Sequence, residues 1–178
     1  MIMKKLLFLL IAIWASECYA MANDIAVKDV TLFGYDTSAV EVNLTNTASE
    51  IVAVQFNISL PDGIKPVMEG NDIVINASDR LAGDYILRAR QVADGSYLFV
   101  FLSKDRTPIK SESGTLFTFH IKKVQKNDGD YIATVSNVVL SDNKGEKTTL
   151  ENSSFAVKVI SKYDVIYVID GEEYKRDS

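Results

Sequence analysis

The residues that most often carry nucleophilic or metal chemistry are scarce in this sequence, which has one histidine, His120, and one cysteine, Cys18. A Ser-His-Asp site needs its histidine beside a serine held on a strained turn. His120 instead lies in the alternating run LFTFHIK, on the polar side with Thr118 and Lys122, and no G-x-S-x-G occurs. A structural or catalytic zinc site wants several imidazole or thiolate ligands, and a second His or Cys to join either residue is missing. Carboxylates are plentiful, 24 of them, but a paired-carboxylate hydrolase needs two at a set separation across a cleft. Here they gather in NDGDY and SDNKGE, where an Asp bonding its own backbone accounts for them as turn formers. QKNDGDY also lacks the D-x-D-x-D-G register and the downstream bidentate Glu of a calcium loop. The chemistry-bearing residues therefore predict no enzyme, no metal and no cofactor.

What remains is recognition at a surface. Arg88 and Arg90, two apart in DYILRARQV, project from one face of a strand. Arginine is enriched at interface hot spots; equally, paired charges on an outer strand are what solubility demands. Gln55 and Asn57 occupy the polar side of IVAVQFNISLPDGI. Sugar-binding sandwiches stack pyranose rings on exposed Trp or Tyr. The single Trp, Trp14, lies in the N-terminal segment, while Tyr85, Tyr97 and Tyr131 open strands after turns. Their rings can cap the core while the hydroxyls reach water. The candidate binding set is Gln55, Asn57, Arg88, Arg90 and Tyr97.

These side chains must be positioned by strands. Period-2 alternation recurs along the chain, with no sustained period of 3.6. In IVAVQFNIS, Val52, Val54, Phe56 and Ile58 point one way and Ala53, Gln55, Asn57 and Ser59 the other. SYLFVFLS is apolar on both sides, which predicts a central strand buried on both faces. GTLFTFHIKKV, DYIATVSNVVLS and SSFAVKVIS continue the series, and NDIVINAS reads as one short strand with Ile73 and Ile75 paired. Pro61-Asp62-Gly63, Asp94-Gly95 and Asp142-Asn143-Lys144-Gly145 supply turns. Short strands joined by turns, with no helical stretches between them, give an all-β, antiparallel β-sandwich of about nine strands.

Length and charge bound the rest. The chain has 178 residues, 47% of them apolar, enough for one full core, and a formal net charge of −5 with no basic stripe. A nucleic-acid partner is not expected. Residues 1–22 follow the plan of a secretory signal: MIMKK, the apolar LLFLLIAIWA, then small residues ending at Ala20 or Ala22. Cys18 leaves with that segment, Glu17 before it being wrong for a lipoprotein signal. A secreted or cell-surface location, with no transmembrane segment in the mature chain, follows. Residues 23–161 form the sandwich. Residues 162–178 read as a partial β-hairpin around Asp170-Gly171, the start of a further repeat.

The succession VEVNLTN, FNISLPDGI, GTLFTFHIKK and GDYIATVSNVVLSD resembles the cohesin-like modules within the carbohydrate-binding-module-like sandwiches. The resemblance spans Asp24 to about Ser161 and implies a nine-stranded jelly roll acting as a non-catalytic binding module. True cohesins bind dockerins through one sheet face, and cohesin-like topology would put Gln55, Asn57, Arg88 and Arg90 on that sheet. The tail YDVIYVIDGEEYK is similar to a repeat of multidomain Bacteroidetes surface proteins. These likenesses imply protein–protein or carbohydrate attachment, in a setting of polysaccharide catabolism, with a dockerin-like protein or a polysaccharide as partner. The alternative is a structural spacer of an adhesin-like surface protein, and a small glycan-active enzyme comes third.

Overall fold

The computed structural model describes residues 23–160, apart from 35, 82 and 126, together with the backbone strands of a hairpin at 165–169 and 172–176. The expected signal segment and the Asp170-Gly171 turn lie outside the described residues. In chain order the strands are β1 (Asn23–Val27), β2 (Val30–Phe33), β3 (Thr37–Asn46), β4 (Ile51–Ser59), β5 (Ile64–Pro66), β6 (Met68–Glu69), β7 (Asp72–Ile73) and β8 (Ile75–Ala77). Then come β9 (Tyr85–Gln91), β10 (Tyr97–Ser103), β11 (Ser113–Lys123), β12 (Gly129–Asp142), β13 (Lys147–Thr149), β14 (Ser153–Ile160), β15 (Val165–Ile169) and β16 (Glu172–Arg176). No helix among the described residues is long and apolar enough to cross a membrane.

Two sheets carry the core. The smaller runs β1-β3-β11, with β5 and β8 sharing the far side of β11; the larger runs β2-β14-β12-β4-β10-β9-β7-β6, with β13 also on β12. The all-β sandwich expected from the alternation is the observed architecture. Pairing is antiparallel except between β2 and β14, which run parallel. β15 and β16 pair with each other, Val165 opposite Arg176 and Ile169 opposite Glu172.

Two stretches, one of them the NDIVINAS read as a single strand, are divided between the sheets. DIAVKDVTLF becomes β1 in the smaller sheet and β2 in the larger, and the Asp29 carboxylate at the break accepts the Ala156 N–H at 2.7 Å. NDIVINAS becomes β7 in the larger sheet and β8 in the smaller; at the crossing, the Val74 N–H is donated to the Val67 carbonyl. A strand that changes sheets at a corner keeps its apolar side chains inside while it turns the edge. In DIAVKDVTLF the apolar positions change phase across Lys28-Asp29, with Ile25 buried before and Val30 and Leu32 after, whereas Ile73 and Ile75 keep one phase through the second crossing.

A layer of phenylalanines joins the sheets. Phe56 and Phe99 are cross-strand neighbours on β4 and β10 with rings 5.2 Å apart, and Phe117 of β11 stacks on both at 6.2 and 5.6 Å. Phe119 meets Phe99 at 5.0 Å, tilted by 48°. All four are essentially shut off from water. Removing a buried ring loses its transfer free energy and leaves a cavity. Phe99→Ala should therefore cost about 3–5 kcal/mol of unfolding free energy, seen as a lowered urea midpoint with an unchanged slope. A loss under 1 kcal/mol would mean that the layer is not the main tie between the sheets.

Candidate docking face

The outer faces of the two sheets differ in kind. On the smaller sheet the outward residues of β3 and β11 are mostly polar: Thr118 lies opposite Glu41, His120 opposite the small Ala39, and Thr115 donates its hydroxyl to Asn43 Oδ1. His120 is half-buried there, on the side expected for it. On the larger sheet, β10 turns Leu98, Val100 and Leu102 outward while Phe99 and Phe101 point inward. The expectation that both faces of β10 are buried is corrected: Leu102 is 42% exposed and the other two are half-buried. One sheet covers one side of a central strand, and the apolar character of the other side therefore needs a different explanation.

Register builds the face around this stripe. Leu98 is flanked by Asn57 and Arg90, Val100 by Gln55 and Arg88, and Leu102 by Ala53 and Ile86. Four of the five candidate binding residues thus come together on β4 and β9, either side of the stripe. Tyr97 does not join them. It points inward and is only 5% exposed, and burial raises its phenol above the ordinary range. Being next in sequence to Leu98, it takes the opposite side of the pleat. Asn57 is partly engaged by the β9–β10 turn, its Nδ2 donating to Ser96 Oγ at 2.9 Å. Arg88 holds Asp72 at 3.1 Å, both well exposed.

Val139 completes the face, and sequence alternation alone does not find it. Before the bulge, Ala133 and Val135 point inward; after it, Val138 and Leu140 do. The register of β12 against β4 slips between Ser136 and Val139, and Asn137 sits at φ 54°. An extra residue in a strand shifts its side-chain phase, and Asn tolerates the left-handed conformation required. The sole hint in the sequence is that Asn within SNVVLS. Val139 lands opposite Gln55, and with Val100, Leu102, Ser141 and Lys147 it lines a shallow hollow of about 280 Å³.

A larger hollow, about 370 Å³, opens at the sandwich edge between β8 and β9 over Ile75, Tyr85 and Leu87. Of the two carboxylates at its mouth, Glu69 and Asp72, the latter is held by Arg88. Acids in the turns bond their own backbone. Asp142 Oδ1 accepts the Lys144 and Glu146 N–H groups, both at 2.9 Å. Among the described residues, no group of three His, Cys, Asp or Glu gathers where it could hold a metal ion.

The end of the stripe is fixed by Asp105. Its Oδ1 accepts Ser103 Oγ at 2.7 Å and the Thr107 N–H at 3.0 Å, and its Oδ2 accepts the Asp84 N–H at 3.4 Å. The exit of β10 is thereby tied to the entry of β9, one residue beyond Leu102. These donors, the Ser103 hydroxyl foremost, hold the carboxyl well below the usual carboxylate range.

Comparison with known proteins settles the topology. No protein-family model matches the sequence, and no curated protein matches it significantly. Solved structures do match. The cohesin of a type I cohesin–dockerin complex from Clostridium thermocellum superposes with a TM-score of 0.62 at 18% identity, covering 78% of this chain and 99% of that one. The chain has the cohesin fold. A cohesin module from a family 33 glycoside hydrolase of Clostridium perfringens gives 0.63 at 11% identity over 80% and 100% of the two chains. A non-cellulosomal cohesin from the archaeon Archaeoglobus fulgidus gives 0.60 at 14% over 78% and 91%. At such identities the likeness to cohesins is one of architecture, and the side chains on the outer face are this chain's own.

The Asp105 clasp makes a pH-dependent contribution that can be measured. A carboxyl whose pKa is depressed on folding stabilises above its unfolded value, about 3.9, and that stability is lost as pH falls through and below it. Asp105→Asn should lower Tm at pH 7, and its difference from the parent should shrink steadily below about pH 4. An offset that stays constant from pH 7 to pH 2 would show that the ionised carboxylate is not what ties β10 to β9.

Proposed function

We propose that the sandwich is a non-catalytic attachment module that docks a dockerin-like protein on the outer face of its larger sheet, outside the cell or at its surface. The observation that carries this reading is the apolar stripe Leu98-Val100-Leu102, left open to water on the cohesin fold and flanked by arginines. Exposed apolar side chains gathered in one patch and rimmed by polar ones mark interaction sites. The C. thermocellum relative was solved bound to a dockerin, as was a second type I cohesin from the same organism, 12% identical with a TM-score of 0.57. Residues 1–22 fit the reading as an export signal, since attachment of this kind works outside the cytoplasm. The chemistry-poor sequence fits it too, since docking needs shape and contact but no reacting group.

A polysaccharide ligand has less support. The ring of Tyr97 is buried and cannot offer a sugar platform, and the Tyr131 hydroxyl donates to the Asn127 carbonyl beside its own turn.

The protein lacking residues 1–22 should bind at least one member of a panel of purified dockerins by isothermal titration calorimetry. Val100→Asp should weaken that binding at least a hundredfold, about 2.7 kcal/mol, while Thr118→Asp on the opposite sheet leaves it unchanged. Binding that survives Val100→Asp would place the contact elsewhere. Glycan-array binding without any dockerin would favour the polysaccharide reading, and silence in both assays would favour a spacer.

A further inference from the structure

The chain is acidic overall, with 24 Asp and Glu against 19 Lys and Arg, yet its docking face is not. β4, β9 and β10 contain no carboxylate at all, and the outward residues of β12 from Thr134 to Ser141 and the whole of β13 contain none either. Cations stand on both flanks of the apolar stripe: Arg88 and Arg90 on β9, and Lys147 on β13 opposite Ser141. Asp72 neutralises Arg88 from the sheet edge. Arg90 and Lys147 have no ion-pair partner among the described residues.

The strands also restrict what can sit there. β4, β10 and β12 are each paired on both sides, so their backbone groups are spent on the sheet. Across these three strands a partner strand has no edge to join, and contact over the stripe must be made by side chains. An amphipathic helix presents such a face. The stripe from Leu98 to Leu102 is about 13 Å long, and β9 lies about 19 Å from β13 across four inter-strand gaps. A helix with its side chains is about 10–12 Å across, so one laid on β10 and β4 fits between the cationic flanks.

We infer that the element received by this face is an acidic amphipathic helix, whose apolar side covers Val100 and Leu102 and whose flanking carboxylates meet Arg90 and Lys147. This rests on the docking reading above and adds the chemistry of the partner. Interfaces are matched in potential, and the match sets both which partner is chosen and how fast it arrives.

The probes are two synthetic helix-stapled peptides with the same leucine stripe, one flanked by Glu and one by Lys, titrated by fluorescence anisotropy. The Glu peptide should bind at least tenfold more tightly, with the gap narrowing as salt rises from 50 to 500 mM. Arg90→Glu/Lys147→Glu, both surface changes checked for folding by circular dichroism, should invert the preference. Equal or tighter binding of the Lys peptide overturns the inference, as does a preference that the double substitution leaves in place. If both peptides bind equally and Val100→Asp abolishes both, the docking face stands and the acidic chemistry falls. If neither binds, the helix inference falls, and the dockerin panel still decides the docking reading.

Discussion

Strand β10 is apolar on both sides but has a second sheet on only one of them. Its inner residues, Phe99 and Phe101, are taken up by the core, and Phe99 touches three other phenylalanines drawn from both sheets. Its outer residues have no such cover. Burial of apolar surface is worth about 25 cal/mol per Å², and that gain is still unrealised on the outward side. The same strand therefore holds the domain together and gives it something to offer a partner. The aromatic layer keeps β4 and β10 in fixed register, and that register sets which polar residues border the stripe.

The fold was legible because alternation is a local signal. IVAVQFNIS reads the same in sequence and structure, Val52, Val54, Phe56 and Ile58 being buried and the residues between them less so. The pair Arg88 and Arg90 could be assigned to one face for the same reason. What alternation cannot convey is which sheet a strand joins and what lies over its far side. DIAVKDVTLF slips phase at Lys28-Asp29 while NDIVINAS keeps Ile73 and Ile75 in step, and in both the partners' positions reveal which sheet each half joins. The outward side of SYLFVFLS fails in a more telling way. A run apolar on both sides is ordinarily the mark of double burial, and its exposure here is the observation on which the proposed docking face rests.

Two residues show the limits from opposite directions. Tyr97 was a reasonable aromatic candidate by its place after a turn, yet the pleat sends it inward with Phe99. Val139 drew no notice, yet the bulge at Asn137 sends it outward. Both outcomes follow from phase along a strand with period 2, where one residue decides the side. The bulge also lets β12 supply the core with Ala133 and Val135 on one half and Val138 and Leu140 on the other.

The parallel ladder between β2 and β14 has a mechanical meaning. It joins a strand near the beginning of the sandwich to the one that closes it, from Val30 beside Val157 to Phe33 beside Ile160. Sliding one such strand along the other strains its bonds together, whereas peeling a hairpin from its open end would break them in turn. Load applied between the two ends of the sandwich would meet this ladder in shear.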